Sequence, residues 1–517
     1  MRQFLLLAAP LASSLAFAQV SVDFGAKPTK TSEVPFVSIG SDRAAIFLRD
    51  IHQRDLKALQ KEMKFKYLRC HGIFNEEMEV VKRNADNSLS FNWTKVDGFI
   101  DRLKEVGIRP FIEFGYMPEP LASGKETCFY YRGNTTPPKS QSEWAQLVSE
   151  FTEHEIKRFG LKEVRQWYFE VWNEPNHDYF WRGTQADYFK LYETTARAMK
   201  AIDPKLRVGG PGTAGLGWIK EFLDFCSQNN VPVDFASTHN YGATQGFVDP
   251  DGKSQTILDT KPDAVNGGFA WIRSVVKSSK YPKLPLFITE WGPSYSQADP
   301  VHDNYICAAW ILEKLSKSIP HTDGMSYWTF SDQFEEGGPV RTPFHGGFGL
   351  LNYDGLKKPG FFAYKFFSEL KNQQYPSSDE RTIATKSGDN LTLITWDYTE
   401  PILTEPNNPF FHKDQKPKTL QNKVIQLKGL KTGRYHLELT PAGYMQNDVY
   451  GTYLALGKPK GDGPSLDKAT QAKLRSATTG RPTVSKTLET DPSGTIRLEL
   501  PMRTNDCWLI KLNRISS

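Results

Sequence analysis

A chain of 517 residues is long enough to bury a large core and to form more than one domain. Its 64 basic and 59 acidic residues nearly balance at a formal charge of +5 and are mixed along the chain. With no basic block, nucleic acid and membrane surfaces are poor partners.

The chain opens on Met1-Arg2-Gln3, an apolar run over residues 4–17 and the small-x-small sequence Ala16-Phe17-Ala18. This predicts a cleaved signal peptide over 1–18 and a secreted or periplasmic mature protein. No later apolar run is long enough to span a bilayer. Val20-Ser21-Val22-Asp23-Phe24 alternates and reads as an isolated strand. From Pro35 onward, apolar strands alternate with amphipathic helices, as βα units of a parallel sheet do. The strands are expected over 36–40, 65–72, 109–116, 167–174, 206–211, 234–241, 285–292 and 324–330. Helices are expected over 49–63 and 93–106, then after Ser140 and Glu143, which fit a capping box. Further helices are expected up to Asp203-Pro204 and over 218–227, 264–278 and 361–370. Asp299-Pro300 reads as the N-cap and first residue of one more, reaching Leu315.

Eight such units predict an α/β chain with a (β/α)₈ barrel over 34–372. After residue 372 the texture changes to short alternating runs at 391–396, 424–427, 435–439 and 496–500. That predicts an antiparallel β-sandwich over 373–517, joined by the N-terminal strand region 19–33. The Pro/Lys/Asp-rich stretch 404–418 reads as a long exposed loop.

Chemistry is expected at the C-terminal ends of barrel strands. Glu170-Val171-Trp172-Asn173-Glu174-Pro175-Asn176 places an amide and a carboxyl at the end of the fourth strand, where Pro175 stops the ladder. Thr289-Glu290-Trp291-Gly292 places a second carboxyl at the end of the seventh. Two carboxyls across a barrel mouth are the minimum equipment for cleaving a glycosidic bond. In that reading Glu174 is the acid/base, kept protonated by the nearby charge of Glu290, and Glu290 is the nucleophile. Asn173 would bond the 2-hydroxyl. His239 and Tyr241 share a strand face, as do Arg69 and His71, and either pair is also consistent with a core role. Arg69 would keep the nucleophile ionised. Trp328 would stack on the sugar, and the 13% aromatic content suits sugar faces as well as a rich core. Glu335 and Glu336 would grip ring hydroxyls or stay solvated. Tyr116, Tyr295 and the Gly-rich stretch 344–349 would rim the pocket.

No HExxH, GxSxG, P-loop or dinucleotide motif is present, so neither metal nor cofactor is expected. The cysteines at 70, 128, 226, 307 and 507 are odd in number and widely spaced, expected mostly as buried thiols.

The ordered set of motifs resembles the family 39 glycoside hydrolases, the β-xylosidase and α-L-iduronidase family. It comprises Lys66-Tyr67-Leu68-Arg69-Cys70-His71-Gly72, Glu113-Phe114-Gly115-Tyr116-Met117-Pro118, Trp172-Asn173-Glu174-Pro175-Asn176, Ser237-Thr238-His239-Asn240-Tyr241, Thr289-Glu290-Trp291 and Tyr327-Trp328-Thr329-Phe330 with Glu335-Glu336. The resemblance implies a retaining barrel enzyme with an accessory sandwich. It implies Glu174 as acid/base, Glu290 as nucleophile, and His71, Asn173, His239, Tyr241, Tyr295, Trp328, Glu335 and Glu336 as sugar-binding residues. The expected activity is β-xylosidase on xylo-oligosaccharides, with the oligosaccharide as the partner and a homo-oligomer left open. Rival readings are an iduronidase-like enzyme, for which Arg341 would face the substrate carboxylate, an endo-glycosidase on an exopolysaccharide, and a non-catalytic sugar-binding protein.

Overall fold

The computed structural model describes residues 19–248 and 254–515. The expected signal peptide over 1–18 lies outside the described residues. Eight parallel strands close into a barrel in chain order: Ser38–Arg43, Tyr67–His71, Arg109–Phe114, Tyr168–Val171, Arg207–Thr213, Phe235–Tyr241, Leu286–Gly292 and Gly324–Tyr327. The (β/α)₈ class read from the alternation of strands and helices is the class observed.

Inside the barrel, side chains two residues apart stack in layers, because a strand alternates its faces. The lowest layer is aromatic: Tyr67, Phe111, Tyr168, Phe235 and Phe287 pack with Val37. Two residues further along the same strands come Arg69, Glu113, Glu170, Ser237 and Thr289, all buried. The next step places His71, His239 and, through a register shift, Glu290. That shift is a bulge: Thr238 pairs with Ile288, but His239 pairs with Glu290, so Thr289 is the extra residue. A bulge next to a cavity re-aims a side chain. Here it turns Glu290 inward one residue earlier than strict alternation would.

The helices follow their apolar stripes. Gln141–Phe159 buries Trp144, Leu147, Val148 and Phe151. Ser140 accepts from the Glu143 N–H, but the Glu143 carboxylate turns to Arg83, so the expected capping box is only half formed. A complete box occurs instead at Thr184 and Asp187, ahead of helix Gln185–Ile202. Asp299 caps only the short 3₁₀ turn Pro300–His302, and the long helix starts later, at Ile306–Ser318. The Asp299 carboxylate is diverted to Thr256 and Asn407.

Apart from three two-stranded ribbons, two further sheets are formed among the described residues. One is three-stranded, with Gln19–Asp23 parallel to Lys423–Lys428, which pairs antiparallel with Ile496–Leu500. The other is seven-stranded, running from Thr29–Lys30 and Gln373–Tyr375 across to Val484–Glu489. Val20, Val22, Ile425 and Leu498 of the first face Leu393, Leu437, Ile510 and Leu512 of the second in one apolar core. The stretch 404–418 is not a free loop. It contains the helix Asn407–Phe411, with Asn407 and Phe411 buried against the barrel. All five cysteines are buried and unpaired.

Candidate active site

The mouth of the barrel opens into a cavity of about 500 Å³ lined by Asn173, Glu174, Glu290, His71, Tyr241, Tyr295, Trp328 and Glu336, among others. Glu174 leaves the fourth strand through a backbone that is left-handed at Trp172 (φ 70°) and at Glu174 itself (φ 44°). Such conformations cost of order 1–3 kcal/mol each in non-glycine residues and persist where the surroundings hold them. Here the Glu174 N–H donates to Gly212 O, and Trp172 Nε1 donates to Phe180 O. The turn projects Asn173 and Glu174 into the cavity together.

Glu290 is held from two sides. Arg69 Nη1 donates to Oε1 at 2.6 Å, and the Tyr241 hydroxyl donates to Oε2 at 2.7 Å. Both partners stabilise the anion. Arg69 is fully buried; its Nε donates to Glu170 at 2.6 Å and its Nη2 to Asn173 Oδ1 at 3.0 Å, with Glu113 2.8 Å away. One buried cation thus meets three carboxylates, which is how a buried charge is tolerated.

Glu174 has different surroundings. Burial, then the Glu290 charge, pushes its carboxyl well above the usual range. His239 Nδ1 lies 2.8 Å from Glu174 Oε1 and 3.6 Å from Glu290. Burial, with the Arg69 charge, holds His239 well below the ordinary histidine value, so the ring is neutral. Oxygens of the two carboxyls and the His239 nitrogen all lie within 4.8 Å of one another. Carboxyls about 5–5.5 Å apart suit attack by one and proton transfer by the other; a wider gap would admit a water. These three side chains are also the ligand types a metal uses. Both Glu290 oxygens are already engaged, however, and a guanidinium 2.6 Å away opposes a cation.

His71 sits between Glu113 at 2.7 Å and Glu336 at 3.4 Å. Burial opposes its charge, but Glu113, Glu336 and Glu290 together raise the imidazole well above its ordinary value. Burial pushes Glu336 up to about 7, against the opposing His71 bond.

Four expected positions differ. Glu335 does not line the cavity; Arg43 and Arg49 hold its carboxylate from outside. Tyr116 is fully buried behind His71 and Trp172 and contributes no cavity wall. Arg341 is exposed and also absent from the lining. Arg69 acts from beneath the cavity, through Glu290 and Asn173, and does not face it.

Sequence reasoning passed over Phe129, His177, Tyr179, Phe180, Asn240 and Gln245, all on the cavity wall. Phe129, His177, Tyr179 and Phe180 sit on loops without periodicity, while Asn240 and Gln245 sit on the strands Phe235–Tyr241 and Ala243–Val248; only the closeness of His177, Tyr179 and Phe180 to the Asn173-Glu174 turn was a usable signal. The carboxylates beneath, Glu113 and Glu170, were also missed, although both alternate in register with Phe111 and Tyr168 on neighbouring strands.

Comparison with known proteins agrees with this architecture. The family model described as "Glycosyl hydrolases family 39" matches residues 19–484. A β-xylosidase of Caldicellulosiruptor saccharolyticus is 44% identical over 424 residues, 80% of this chain and 83% of that protein. The crystal structure of a monomeric β-xylosidase from Caulobacter crescentus superposes with a TM-score of 0.92 at 40% identity, over 96% of this chain and 100% of that one. A family 39 enzyme from Xanthomonas axonopodis pv. citri gives 0.93 at 38%, over 98% and 100%.

Proposed function

This chain belongs to the family 39 glycosyl hydrolases and is a retaining glycoside hydrolase, and from that premise we propose that it is a β-xylosidase releasing xylose from xylo-oligosaccharides. The observation that carries the reading is the pairing of Glu174 and Glu290 within 4.8 Å in one cavity, one pushed toward the protonated form and the other accepting from Arg69 and Tyr241.

In the first step Glu290 attacks the anomeric carbon while Glu174 gives its proton to the leaving oxygen. The glycosidic bond breaks, the alcohol departs, and a covalent glycosyl-enzyme remains. The Glu290 charge is now consumed by the ester, so the main neighbouring charge raising Glu174 is gone. Glu174, ionised, takes a proton from water, and the resulting hydroxide equivalent displaces Glu290 with overall retention. Arg69 fixes the Asn173 carbonyl, leaving the amide N–H₂ for the 2-hydroxyl. Trp328, 2% exposed, supplies an apolar face, and Glu336 with His71 offers acceptors and donors to the other ring hydroxyls.

The cavity lining separates the rival activities. Three carboxyls and no Lys or Arg line it among the described residues. A uronic acid would bring a further negative charge into that wall, where the cationic side chain, His71, is already paired with Glu113 and Glu336. A panel of aryl xyloside, arabinoside, glucoside and iduronide tests the reading. The xyloside should have the highest kcat/KM, and Glu290→Gln should abolish it. Preference for the iduronide, or no hydrolysis of any member, would overturn it. The N-terminal pattern further supports export; fractionation and N-terminal sequencing should find a chain starting at Gln19 outside the cytoplasm.

A further inference from the structure

In the helical layer of the barrel, two helices bring together metal-ligating side chains that do not line the cavity. Thr94–Lys104 supplies Asp97, and Gln141–Phe159 supplies His154 and Glu155. One ligand atom from each lies within 4.8 Å of the others. His154 Nε2 is 2.8 Å from Asp97 Oδ1, and Trp93 stacks on the imidazole with ring centroids 5.5 Å apart.

Glu155 is the unexplained member. The residue is fully buried, and neither carboxylate oxygen has a hydrogen-bond partner. Buried polar groups are normally bonded, and a buried charge is normally paired or bound to a metal. Nothing in the hydrolytic site touches Glu155.

We propose that Asp97, His154 and Glu155 form a zinc site that clamps these two helices together. The donor set decides the metal: one imidazole and two carboxylates suit zinc, whereas magnesium and calcium favour all-oxygen sites. Zinc bonds of about 2.0–2.2 Å put neighbouring ligands of a tetrahedron roughly 3.3 Å apart, so the three donors need only small rotations. The two carboxylates offset the charge of the ion. Asp97 and His154 keep 27% and 26% side-chain exposure, which leaves an entry path and a water for the fourth position. The opposing cation is Arg158, with Nε 3.3 Å from Asp97 Oδ1. Its two terminal nitrogens already fork onto Asp101 at 2.8 and 2.6 Å, so it retains an anion when the Asp97 contact opens.

The test uses the full chain, stripped with a chelator and titrated with zinc chloride against a chromophoric competitor. Wild type should bind one zinc at micromolar concentration or below and gain thermal midpoint. Magnesium chloride should leave the midpoint unchanged. His154→Ala and Glu155→Gln should each weaken binding by at least about tenfold and remove the gain, with xyloside hydrolysis unchanged. The midpoints of the metal-free variants, read beside metal-free wild type, show that they fold. Zinc held equally by the variants would place it elsewhere, most simply on Glu174, His239 and Glu290, where it would inhibit hydrolysis; that result overturns the proposal. So does no binding at micromolar zinc.

Discussion

Glu174 and Glu290 are the same residue type with opposite surroundings, and the difference predicts how their loss is felt. In the proposed mechanism Glu174 serves the leaving group, so Glu174→Ala should slow xylosides with poor leaving groups by about 10²–10⁴-fold and dinitrophenyl xyloside far less. Steady-state rates across a leaving-group series check this; an equal loss for every leaving group would contradict it. Glu336 offers a separate test through pH. A carboxyl raised from 4.5 to about 7 binds its proton more tightly folded than unfolded. The stability it contributes is therefore present at low pH and lost as pH rises from about 4.5 to about 7. Between pH 5 and pH 7.5 the thermal midpoint of wild type should fall relative to that of Glu336→Gln. A constant difference between the two proteins would contradict the assignment.

At the scale of elements, local signals and long-range contacts part company. Helix Gln185–Ile202 begins with a reciprocal cap in which the Thr184 hydroxyl accepts from the Asp187 N–H and the Asp187 carboxylate accepts from the Thr184 N–H. Thr184→Ala should cost about 1 kcal/mol, read as a lower urea midpoint of the barrel, with KM unchanged. The eight barrel strands were legible because each is a short apolar run ended by a turn or a proline. The two carboxyls were legible because each closes such a run. The bulge that pairs His239 with Glu290 was not, since one extra residue in a strand leaves no mark on composition. Arg69, Glu113 and Glu170 alternate with aromatic residues in ordinary strand fashion, and only closing the barrel shows that they meet. The 404–418 stretch misled because its anchor is distant: Asn407 Oδ1 accepts from the Leu258 N–H and its Nδ2 donates to Asp299, 149 and 108 residues away. Asp299 was misread for the same reason, its carboxylate serving that contact as well as a short turn.

For the whole molecule, the barrel and the sandwich are joined by a buried polar contact. Glu313, on helix Ile306–Ser318, accepts from Arg381 at 2.9 and 3.2 Å and from Trp396 Nε1 at 3.0 Å. Its side chain is only 3% exposed. Arg381→Ala leaves that carboxylate with Trp396 and Lys317 and should cost about 1–3 kcal/mol in chemical unfolding, without altering kcat. No loss of stability would mean that the Arg381 bonds to Glu313 do not help hold the two units together. The sandwich also fixes the N-terminal strand, which runs parallel to Lys423–Lys428 across the length of the chain.

In the proposed mechanism two acidic side chains, 116 positions apart in sequence, share one sugar between them. The stereochemistry of the first product tests that arrangement most directly. Proton NMR of aryl β-xyloside hydrolysis, followed from the first seconds, should show β-xylose appearing before mutarotation produces the α anomer. Initial release of α-xylose would mean single displacement by water and would contradict the account.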